Sequence, residues 1–101
     1  NIEQGSRLEL NRGASGRIIL AYGKRKNDKT GFYKEIRDAG YYLAIHEHNS
    51  SLFALAVPVI SSSSKFVGAI VVSGPISRFN DKQKIFLLEL LRSQLNNIVM
   101  P

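Results

Sequence analysis

Apolar residues change their spacing repeatedly along the chain, and each change marks an element. In residues 7–10, Leu8 and Leu10 alternate with Arg7 and Glu9, the period of two that marks a short strand. Gly13-Ala14-Ser15-Gly16 then opens a helix to about Tyr22, with Ile18, Ile19, Leu20 and Tyr22 as its apolar face and Gly23 as its stop. In residues 32–39, Phe32, Tyr33, Ile36 and Ala39 recur at helical spacing, and Gly40 follows where a left-handed cap belongs.

From there the pattern turns to strands. Residues 41–46 are aromatic and aliphatic, 52–60 form a nearly unbroken apolar run, and 66–73 form another. Residues 61–65 between the last two are polar and too few for a crossover, so those strands should pair as an antiparallel hairpin. Gly74-Pro75 should end the second of them. Asn80 is placed to cap a final helix, with Asp81 near its positive end and Gln83 completing a capping-box-like pair. Beyond it, apolar positions run from Ile85 to Val99 with only Glu89 breaking the stretch up to Leu91. A stripe that wide covers a sheet and still offers a ridge to a partner. The order β-α-α-β-β-β-α describes an α+β domain, an antiparallel sheet with helices packed on it.

At 101 residues the chain has room for a single domain, residues 1–101. With no cysteine, it has no disulfide, thiolate metal site or thiol nucleophile. Its start is polar, and its apolar runs fall short of a membrane helix. These features suit a cytoplasmic protein without a membrane contact.

The net charge of +6 is concentrated early: residues 1–34 carry eight basic residues against Glu3, Glu9 and Asp28. Lys24, Arg25, Lys26 and Lys29 crowd a loop-like stretch. Such a cluster can contact phosphates. No aromatic residue is interleaved for stacking, so a solvated loop is the expectation.

Catalytic chemistry finds little footing. No serine sits in a nucleophile elbow, and none of the eight carboxylates is flanked by apolar burial that would raise its pKa. His46 and His48 share one side of a strand, but two ligands do not make a metal site. Neither an enzyme nor a cofactor or metal protein is expected.

Three segments carry a family resemblance. Residues 7–17, Arg-Leu-Glu-Leu-Asn-Arg-Gly-Ala-Ser-Gly-Arg, lead into Ile18-Ile19-Leu20-Ala21-Tyr22. Next comes Ile36-Arg37-Asp38-Ala39-Gly40-Tyr41, continuing to Glu47 and to Ala54-Leu55-Ala56-Val57-Pro58-Val59. The third is Val67-Gly68-Ala69-Ile70-Val71-Val72-Ser73-Gly74-Pro75-Ile76-Ser77-Arg78. In this order they resemble the C-terminal effector-binding half of IclR-type transcriptional regulators. Asn11 and Arg12 depart from that pattern, standing where it has histidine and a small residue.

The resemblance implies a GAF-like or profilin-like domain, a small-molecule effector, a homodimer or tetramer, and DNA contact only through a winged helix-turn-helix outside this sequence. It assigns ligand contacts to Ala14, Ser15, Ala44, Leu52, Ala54, Val71 and Ser73. Independently of it, Gly13-Ala14-Ser15-Gly16 offers free backbone N–H groups at a helix start, though the same residues also suit a tight turn. Where family members often carry polar groups, this chain has Ala44, Ala54 and Val71. That favours an apolar or aromatic acid over a small keto acid. The alternative function is a GAF-like dimerisation or signalling domain with no ligand.

Overall fold

A computed structural model describes residues 13–23, 28–45 and 51–96. Helix α1 (Ala14–Tyr22) is followed by α2 (Phe32–Ala39), then by strands β1 (Tyr42–Ile45), β2 (Leu52–Ile60) and β3 (Phe66–Pro75). A 3-10 turn (Ile76–Arg78) leads into α3 (Asp81–Asn96). The sheet is antiparallel in the order β1-β2-β3, so the α+β class stands. The strand expected at residues 7–10 lies outside the described residues, as do His46, His48 and residues 24–26 of the basic loop. Lys29 of that loop is described and exposed.

The ends of the elements follow from local chemistry. Gly40 takes φ 81° at the end of α2 and donates its N–H to the Ile36 carbonyl, a left-handed cap that side chains resist. At the start of α3, Asn80 Oδ1 accepts the Gln83 N–H at 2.8 Å, the capping bond the sequence predicts. At the start of α2 the Asp28 carboxylate accepts the N–H groups of Tyr33 and Lys34 at 3.2 and 3.0 Å.

One expectation is corrected. β3 does not stop before Gly74-Pro75: Gly74 pairs opposite Phe53 and Pro75 opposite Leu52. Within the described sheet β3 is an outer strand, where a proline's missing N–H is tolerated. A Cβ at 74 would lie 3.1 Å from the Phe53 ring, a tight approach that favours glycine there. The helices lie on both faces of the sheet. Alternation along β2 sends Ala54 and Ala56 toward α1 and α2, where they join Ala14, Ile18, Ala21, Ile36 and Ala44. Phe53, Leu55 and Val57 point the other way, into a second core with Leu88 and Leu91 of α3. Ile18, Leu55 and Val57 are the largest side chains fully removed from solvent.

Candidate ligand cleft between α1 and β3

The strand register decides which candidate residues meet. Ala44 pairs with Ala54, and Ala54 with Ser73, so the three form one row across the sheet. Val71 stands in the next row, opposite Ala56. Leu52 shares the face of Ala54 and Ala56 by alternation. All five sheet candidates therefore lie on the α1 side.

Helix α1 crosses this face in a definite direction. Its last residue, Tyr22, stacks on Phe66 at the start of β3 with ring centroids 5.8 Å apart. Ser15, Ile19 and Tyr22 fall on one stripe of α1, four and three residues apart. Tyr22 ties that stripe to the beginning of β3, while Val71 and Ser73 stand toward the other end of the strand. On the opposite side of α1, Arg17 lies over the rings of Phe32 and Tyr42, 4.9 and 5.5 Å from their centroids. Two further bonds join α1 to α2: Arg37 Nη1 donates to the Ala21 carbonyl at 2.8 Å, and the Tyr22 hydroxyl to the Arg37 carbonyl at 3.3 Å. Burial pushes the Tyr22 hydroxyl pKa up, and the positive charges of Arg37 and Arg92 partly offset this.

Burial then grades the candidates. Ala14 and Ala44 are closed off within the core, so their side chains form packing rather than an open wall. Ser15, Leu52 and Ala54 are half-buried, while Val71 and Ser73 are exposed. Leu52, Ala54, Val71 and Ser73 thus lie on the sheet face against which α1 packs, with Val71 and Ser73 left open to solvent. Ile19, on the same stripe of α1 as Ser15, is 37% exposed. Sequence reading assigned it to the core-facing stripe; its position four residues after Ser15 was the available signal. The start of α1 has no side-chain cap, so the first N–H groups of the helix are not taken up by a capping side chain.

A separate shallow groove of about 420 Å³ is lined by Asp28, Lys29, Thr30, Phe32 and Tyr33. None of the candidate ligand contacts lines it. The N–H groups there are already served by Asp28. Among the described residues no three His, Cys, Asp or Glu side chains are grouped to hold a metal ion, and no helix is long and apolar enough to cross a membrane.

The chain is a three-stranded antiparallel sheet with helices on both faces. The family model of the bacterial transcriptional regulator IclR C-terminal domain matches residues 31–99. The chain belongs to that family: it is an effector-sensing domain of a transcriptional regulator. No curated protein sequence matches it. Among solved structures it is similar to the inducer-binding domain of the PobR transcription factor from Acinetobacter, a double mutant in complex with 3-hydroxybenzoic acid. The TM-score is 0.76 at 22% identity, covering 92% of this chain and 66% of that one. An IclR-family protein from Rhodococcus sp. gives 0.77 at 22%, covering 96% and 44%. The C-terminal domain of E. coli KdgR gives 0.73 at 20%, covering 91% and 70%. These likenesses carry the fold. The chain spans about half to two thirds of the length of the first two structures.

Proposed function

We propose that residues 1–101 act as one domain that binds a small-molecule effector in the cleft between α1 and β3, in a cytoplasmic regulator without enzymatic activity. The observation that supports this reading is that Leu52, Ala54, Val71 and Ser73 share the face of the sheet on which α1, the helix of Ser15, packs. An apolar floor of Leu52 and Ala54, with Val71 and Ile19 at its sides, suits an aromatic ring. The uncapped N–H groups at the start of α1 and the hydroxyls of Ser15 and Ser73 suit a carboxylate. An aromatic carboxylic acid combines both parts. The PobR domain was crystallised with such an acid, which supports the choice of ligand class.

The effector acts by differential affinity. It favours one arrangement of a homodimer or tetramer, and so shifts DNA binding by a separate domain. Calorimetry tests the site, using 3-hydroxybenzoate and unsubstituted benzoate as probes and pyruvate as the small keto acid. The aromatic acids should bind and pyruvate should not. Ser15→Trp and Ser73→Trp should abolish binding without unfolding the domain, since both positions border open space. Unchanged affinity in both variants would remove the site from this cleft.

A second reading is a dimerisation domain that holds no ligand. The apolar outer surface of α3 (Ile85 57% and Phe86 61% exposed) favours it. No binding by any acid, together with stable self-association, would select it.

A further inference from the structure

The C-terminal end of α1 gathers positive charge that the candidate effector contacts leave unused. Tyr22, the last residue of α1, donates its hydroxyl to the Arg37 carbonyl at 3.3 Å, and Arg37 Nη1 donates back to the Ala21 carbonyl at 2.8 Å. Arg92 comes to the same place from α3, the helix on the other face of the sheet. Its Nη2 would stand 3.5 Å from a Cβ on Gly40, the cap of α2. Both guanidinium charges act on the Tyr22 hydroxyl. The carboxylate that also acts on it, Asp38, is bound to Lys34 at 2.8 Å. Two guanidinium charges are left in excess.

We propose that Arg37 and Arg92 form an oxyanion site that takes the phosphate group of a small phosphorylated ligand. None of the candidate effector contacts belongs to it. A guanidinium offers a planar fork of donors that matches two phosphate oxygens, and two such forks balance a dianion rather than a single carboxylate. Helix C-termini ordinarily repel anions. Here the carbonyls at the two helix ends are already taken: Ile36 by the Gly40 N–H, Arg37 by the Tyr22 hydroxyl, and Ala21 by Arg37. Arg37 is half-buried and braced by its bond to α1, whereas Arg92 is exposed. The first fixes the site and the second closes on the anion. A phosphate held by both bridges α2 on one face of the sheet to α3 on the other.

Calorimetry with inorganic phosphate, at constant ionic strength made up with chloride, tests the site. Phosphate should bind in preference to chloride and acetate. Arg37→Gln and Arg92→Gln should each weaken it about two- to fivefold, and Arg92→Glu should abolish it. Arg92 is exposed, so its variants decide the matter if Arg37→Gln fails to fold. A second readout is the Tyr22 phenol, followed by NMR on carbon-labelled tyrosine with Tyr22→Phe to assign its signal. The two arginine charges lower the pKa of this hydroxyl; bound phosphate offsets them, so saturating phosphate should raise it further. In Arg92→Gln that rise should shrink. Phosphate that binds no better than chloride, or equally to the wild type and Arg92→Gln, overturns the proposal and leaves the arginines as caps of the helix ends. Acetate that binds as well as phosphate overturns the choice of phosphate. Binding that disappears only on joint replacement of Lys24, Arg25 and Lys26 by serine overturns the site as well, assigning it to the basic loop.

Discussion

Tyr22 and Phe66 stack with ring planes 18° apart, and this contact ties the end of α1 to the start of β3. Gly23 follows immediately, its N–H bonded to the Ile19 carbonyl. Loosening the stack should let α1 swing away from the strand. Phe66→Ala is expected to cost about 2–4 kcal/mol, reduced from the fully buried case because Phe66 is only partly covered. Urea unfolding measures it. Effector affinity should fall with it, because the same helix carries Ser15.

The Tyr22 hydroxyl gives a pH dependence with a definite sign. Its folded-state pKa is raised above the ordinary value of 10.0 by burial, so the folded protein prefers the protonated phenol. That contribution is fully present below about pH 10 and is lost as pH rises through the higher folded value. Lys84 shifts the same way, chiefly through its hydrogen bond with Tyr41. Thermal melts from pH 8 to 11 should show stability falling at the alkaline end. Tyr22→Phe should flatten that fall while costing about 0.5–1.5 kcal/mol at neutral pH for the lost bond to the Arg37 carbonyl.

Gly74 tests the close approach under β3. A methyl group would stand 3.1 Å from Phe53 Cε2, and Phe53 is itself packed on Phe79 with centroids 4.3 Å apart. The ring has little room to yield. Gly74→Ala should therefore destabilise by about 1–3 kcal/mol, and Gly74→Val by more. Denaturant midpoints of the two variants order the effect; an unchanged Gly74→Val midpoint would refute the packing.

Asn80→Ala removes the acceptor for the Gln83 N–H. Loss of an N-cap costs about 0.5–2 kcal/mol, and Asn80→Asp should retain most of the stability. The comparison is best made by chemical denaturation, since the same helix carries the Leu88 and Leu91 core contacts.

Much of this fold was legible in residue order because its causes are local. The α2 boundaries follow from helical spacing and the left-handed Gly40; β2 from an apolar run between polar segments; the hairpin from a connection too short for a crossover; the α3 start from Asn80. Periodicity also put Leu52 with Ala54, and Val71 with Ser73, on common faces. What it could not reveal was which residues on different strands stand opposite one another. Register is set by pairing across the sheet, and it is the register that aligns Ala44, Ala54 and Ser73 in one row. The distribution of helices over two faces was equally hidden, because β2 is apolar at both odd and even positions. Sequence reading also ended β3 at Gly74-Pro75, a local break signal that an outer strand tolerates. The anchoring of α1 by Tyr22 on Phe66 joins residues 44 apart in the chain, and no local pattern encodes it. Ile19, apolar yet 37% exposed, likewise shows that apolar spacing alone does not tell which helix positions are buried.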